Sequence, residues 1–138
     1  MSFVIDATVA LTWCLADESD TTGAADRALA RLESEGALVP AIWPFEVANG
    51  LRSAERRGRL DEVETLQAAR LLRALPIRVE EVPLGRALDG ILPLARALGL
   101  SAYDAAYVEM ALRMDAPLAT ADEQLARATL AAGGTLLE

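Results

Sequence analysis

Short apolar runs and longer helical patterns alternate along the chain. "SFVI" (Ser2 to Ile5) is an unbroken apolar run that predicts a buried strand, with Asp6 at its C-terminal end. "ATVALTWCLA" then has helical spacing, and "TTGAADRALARLESEG" predicts a second helix closed by Gly36. "ALVP" predicts a short strand. Pro44 opens the next helix, "PFEVANGLRSAERRG", which Gly58 ends. "RLDEVETLQAARLLRAL" predicts an amphipathic helix, with Val63, Leu66, Leu71 and Leu75 among its apolar positions. "IRVEEV" alternates as a strand does. "LGRALDGILPLARALG" is helical, and Pro93 is expected to kink or split it. "SAYDAAYVEMALRM" predicts a helix, "PLAT" a strand, "DEQLARATLAAG" a helix and "GTLLE" a last strand.

This alternation predicts an α/β class with a central parallel sheet. With 138 residues and no internal repeat or linker, residues 1–138 are expected to form one domain. Hydrophobic residues make up 53% and charged residues 25%, a globular composition. No apolar run nears the ~18 residues of a membrane span, and "MSFVIDAT" does not read as a signal peptide. The single cysteine, Cys14, excludes an internal disulfide. These features predict a cytoplasmic protein.

The absences narrow the chemistry further. The chain has no histidine and no lysine, and all 13 basic residues are arginines. A Ser-His-Asp triad, a histidine-ligated zinc, a P-loop and Schiff-base catalysis are thereby excluded. Carboxylates, hydroxyls, amides and arginines remain, a set suited to hard cations such as Mg²⁺ or Mn²⁺.

Most of the 21 acids sit in polar company, but four do not. Asp6 follows "SFVI", Glu46 lies inside "IWPFEVA", Asp104 in "LSAYDAAYV", and Asp122 closes "APLATAD". Each is near a predicted helix start, where an acid also serves as a cap or complements the macrodipole. Ser101 with Asp104, and Thr120 with Glu123, fit capping boxes. Taken together, Asp6 and Asp122 each follow a strand, at the sheet edge where ligands bind in open α/β folds, and Glu46 and Asp104 begin helices that could flank it. A divalent cation would offset the repulsion among four carboxylates there. Thr8, Thr120 and Asn49 fit as supporting groups around them; for the threonines a local hydrogen bond or cap is an equal alternative.

With these blocks in view, the chain resembles the PIN-domain ribonucleases, and within them the toxins of VapBC-type toxin–antitoxin pairs. The resemblance covers essentially the whole chain and rests on four blocks in order: "FVIDATVAL", "VPAIWPFEVANGL", "LSAYDAAYVEMA" and "APLATADEQLARA". It implies a parallel sheet with helices on both faces and catalytic, metal-binding acids at Asp6, Glu46, Asp104 and Asp122. It also implies Mg²⁺- or Mn²⁺-dependent cleavage of RNA, with Thr8 and Thr120 lining the site. Asp115 and Glu123 are candidates for a fifth acid. The expected partners are an RNA substrate, a small VapB-like antitoxin with a basic segment, and a second copy of the chain.

The net charge of −8 argues against a large phosphate footprint. "NGLRSAERRGRL" runs against it, with Arg52, Arg56, Arg57 and Arg59 around Glu55; these read either as an RNA grip or as a solvated helix end. Trp13, Leu15, Leu66, Leu71 and Leu72 are expected in the core rather than on a partner surface. Two other functions compete: a non-catalytic acidic binding module of the same fold, and a PIN nuclease of RNA processing outside a toxin–antitoxin pair. A haloacid-dehalogenase-type phosphohydrolase is set aside, because Thr8 stands where that family needs an aspartate and no lysine is present.

Overall fold

A computed structural model describes residues 2–15 and 20–138. Four parallel strands form one sheet in the order β3-β2-β1-β4: β1 (Phe3–Ile5), β2 (Ala37–Pro40), β3 (Ile77–Glu80) and β4 (Leu118–Ala119). The register pairs Val4 with Leu38 on one side and with Leu118 on the other. β1 and β2 are buried along their whole length, as their unbroken apolar runs require. β3 is one edge of the sheet and is partly open; its burial does not follow the alternation of its sequence, since Val79 is exposed while Ile77 and Glu80 are half-buried.

Helices α1 (Ala7–Cys14) and α2 (Ala24–Glu35) connect β1 to β2, and α3 (Trp43–Arg56) and α4 (Glu62–Ala74) connect β2 to β3. The return to β4 runs through the short α5 (Leu84–Arg86), a π-helical turn at Ala87–Ile91, α6 (Leu92–Leu98) and α7 (Ala102–Arg113); α8 (Glu123–Ala131) follows β4. The π turn is the split expected of Pro93. Proline has no N–H for the carbonyl four residues back, and just before it the ladder widens so that the Leu92 N–H reaches Ala87 O.

The sequence also places the helix ends. Asp61 and Glu64 form a reciprocal capping box on α4. Ser101 accepts from the Asp104 N–H to cap α7, and Asp122 itself, rather than Thr120, caps α8. Gly36 ends α2 at φ +71°, the left-handed region that favours glycine. Gly50 allows a close approach of α3 to α1: a Cβ there would stand 2.5 Å from Leu11 Cδ1. The two helices that begin beside Asp6 and Glu46 are thus packed tightly together.

The core is built around Phe3, Ile5, Leu32, Val39, Tyr107, Val108 and Leu118. Two expectations need correction. "GTLLE" is not a strand; only an isolated bridge joins Leu136 to Leu118. Leu66 and Leu71 are exposed, with Val63, while Leu15 is buried and Trp13 and Leu72 are half-buried. The apolar stripe of α4 is wider than the surface it covers, so part of it faces outward.

Candidate active site

Strand order positions the first pair of acids. From β1 the chain moves outward to β2 and β3, then returns to β4 on the opposite side of β1. The reversal lies between β1 and β4, and Asp6 and Asp122 follow the C-terminal ends of these two strands.

Asp6 is 3% exposed and fully partnered. Thr8 Oγ1 donates to its Oδ1 at 2.6 Å, Thr120 Oγ1 donates to Oδ2, and the Val9 N–H donates at 3.3 Å as the α1 cap. Trp43 Nε1–H holds the Asp6 carbonyl at 3.0 Å. Thr8 also ties the two strand ends together, since its Oγ1 accepts from the Ala121 N–H, while Thr120 Oγ1 accepts locally from the Asp122 N–H. Burial pushes the Asp6 carboxyl up to about 6; the hydrogen bonds oppose this and the charge of Asp122 adds to it.

Glu46 lies in the first turn of α3 and Asp104 in the first turn of α7. The Tyr107 hydroxyl donates to Glu46 Oε1. Burial raises the Glu46 pKa against that hydrogen bond, and Asp104 raises it further. Asp104 is raised by burial and then by Asp122. Burial and the Glu46 contact hold the Tyr107 phenol far above its usual range, so it remains a donor. The acids therefore form a chain of repulsion: Asp6 with Asp122, Asp122 with Asp104, Asp104 with Glu46.

Among the described residues, no three of these acids stand close enough to hold a metal ion as they are. Their chemistry is nevertheless that of a hard-cation site: all oxygen, half-buried to buried, and destabilised by one another's charge.

Tyr107 and Trp43 were not singled out from the sequence. Tyr107 lies three residues after Asp104, the spacing that puts two side chains on one helix face, and that was the available signal. Asn49 is exposed and has no hydrogen bond to the acids. Asp115 precedes β4, at the opposite edge of the sheet from Asp122, and is exposed. Glu123 is also exposed, and accepts a long hydrogen bond of 3.4 Å from Thr21. Arg52 is paired with Glu55 at 3.3 Å, Arg59 is half-buried and engaged, and Arg56 and Arg57 are exposed. If the latter two contact RNA, replacing both with alanine will lower RNA affinity and reduce its salt slope by about one unit per lost phosphate contact. A salt titration of binding checks this; an unchanged slope returns them to the solvent.

A family model for the PIN domain matches residues 3–130. The chain belongs to the PIN-domain family. Within the family it is of the VapC type: it is 35% identical over 122 residues to the VapC ribonuclease Mb0985 of Mycobacterium bovis, covering 88% of this chain and 87% of that protein. The ribonuclease VapC9 of Mycobacterium tuberculosis matches to the same extent. The PIN fold is also shared with PAE2754 of Pyrobaculum aerophilum, whose crystal structure superposes with a TM-score of 0.72 at 22% identity, covering 99% of this chain and 88% of that one.

Proposed function

We propose that this PIN-domain protein is a metal-dependent endoribonuclease and the toxin of a type II toxin–antitoxin pair. The observation that carries the reading is the row of mutually repelling carboxylates that runs from Asp6 and Asp122, at the reversal point of the sheet, to Asp104 and Glu46 in the first turns of α7 and α3. The ribonuclease names of relatives at 35% identity support it.

Those four acids are the residues that would hold Mg²⁺ or Mn²⁺. When bound, such an ion lowers the pKa of water and stabilises charge on a phosphoryl oxygen. The protein's own part is positioning. Thr8 and Thr120 fix both oxygens of Asp6, Trp43 anchors its backbone, and Tyr107 fixes one oxygen of Glu46 and leaves the other free. Carboxylates so held lose little side-chain entropy on gaining a ligand.

The expected partners follow from charge and family. A net charge of −8 suits a small antitoxin whose basic side chain enters the acid cluster. The working state in this reading is a homodimer in the cytoplasm; no helix among the described residues is long and apolar enough to cross a membrane.

EDTA is expected to abolish cleavage of single-stranded RNA, and Mg²⁺ or Mn²⁺ to restore it. A gel assay on metal-stripped protein checks this, and full activity without metal would overturn the mechanism. Growth arrest on expression, relieved by the neighbouring gene, separates a toxin from an RNA-processing nuclease.

A further inference from the structure

We propose that Phe45 and Tyr103 form a stacking platform for one unpaired nucleobase of the RNA, beside the phosphodiester held at the acids. This rests on the ribonuclease reading above and deepens it by naming what grips the substrate next to the cut.

The chain has six aromatic side chains. Phe3, Trp43 and Tyr107 are buried, and Trp13 is half-buried with its indole N–H on the Ala25 carbonyl. The remaining two, Phe45 and Tyr103, are 74% and 60% exposed. Each directly precedes an acid of the candidate site, Phe45 before Glu46 and Tyr103 before Asp104. They come from different helices, α3 and α7, yet line a single cavity of about 340 Å³, walled further by Ile42, Val82, Ile91 and Ala106.

The chemistry of this cavity selects its occupant. Its lining contains no charged residue, and two of its residues, Phe45 and Tyr103, are next to acids in the chain, so it does not suit a phosphate. A nucleobase is neutral, flat and aromatic, and tolerates both the rings and the negative surroundings. Phe45 and Tyr103 adjoin Glu46 and Asp104 in the chain, so a strand with one phosphate at the acids has an adjacent base to place. With few polar atoms in the wall, the base is read by its face and not its edges, which favours purines over pyrimidines only modestly.

The test uses a single-stranded oligoribonucleotide whose cut site has been mapped with wild-type protein and Mg²⁺. Removing the base from one nucleotide flanking the cut is expected to lower kcat/KM by about 10- to 100-fold. Phe45→Ala with Tyr103→Ala should lower kcat/KM on the intact oligonucleotide to a similar level, and the abasic substrate should then cost the variant almost nothing more. Phe45→Tyr and Tyr103→Phe should retain activity, because they keep the ring faces. Losses that simply add, or a loss that tracks dissociation of the protein in light scattering, would overturn the proposal; the second result would assign these rings to contact with another copy. If wild type cuts no RNA with Mg²⁺ or Mn²⁺, the ribonuclease reading itself falls, an outcome distinct from wild-type cleavage that ignores the missing base.

Discussion

Glu46→Gln is expected to reduce RNA cleavage by orders of magnitude while leaving the chelated protein melting at or above wild type. A glutamate that merely favours a helix start contributes about 0.3–1 kcal/mol through the macrodipole, and its loss would lower the melting temperature equally with and without metal. Glu46 is in a different position. It is half-buried beside Asp104, and both carboxylates are held above their usual pKa. Glutamine retains the oxygen that accepts from Tyr107 and removes the charge at almost constant volume. The repulsion is relieved, so the apo protein gains or breaks even. The variant should also gain less from added Mg²⁺, because stabilisation by a ligand follows its affinity. Thermal melts in EDTA and in Mg²⁺, together with the cleavage assay, check the three parts. A variant destabilised equally in both conditions and still active would make Glu46 a helix-start residue and nothing more.

The chelated protein is expected to become more stable as pH falls from about 7.5 towards 5. Asp6 has a folded pKa of about 6, raised from 3.8 by burial. Between those values the folded state holds more protons than the unfolded one. The stability linked to Asp6 is therefore fully present below about 3.8 and is lost as pH rises through about 6. Over the full range the difference is on the order of 3 kcal/mol, of which roughly 1.4 kcal/mol falls between pH 7.5 and 5, enough to move the melting temperature by a few degrees. Glu46 and Asp104 are raised too and act in the same direction. Asp20 and Glu35 are lowered by their hydrogen-bond and ion-pair partners and act oppositely; their contribution is lost only as pH falls through and below the ordinary carboxylate range. An optimum near pH 5 follows for the metal-free protein. Mg²⁺ should flatten the profile, because ion and proton compete for the same oxygens. A melting temperature that falls steadily from pH 7.5 to 5 in EDTA would contradict the buried, destabilised state of Asp6.

The sequence by itself determined the local structure. "SFVI" and "ALVP" are short apolar runs without interruption, followed by Asp6 and closed by Pro40, and both form strands buried along their length. Asp61, Ser101 and Asp122 are short polar residues at the starts of amphipathic stretches, and each caps a helix because the free N–H groups are two or three residues away. Asp6, Glu46, Asp104 and Asp122 stood out for the same kind of local reason, as acids in apolar company.

Tertiary structure decided what those elements face. Periodicity defines an apolar stripe but not its partner, which is why Leu66 and Leu71, core by pattern, are exposed on α4. It cannot order strands either: β4 adds beside β1 and not beside β3, and only that choice puts Asp122 next to Asp6. The Thr120 bond to Asp6 spans 114 positions, and the Tyr107 bond to Glu46 spans 61. A hydrogen bond needs its atoms within a few tenths of an ångström, and no local propensity carries that precision over such separations.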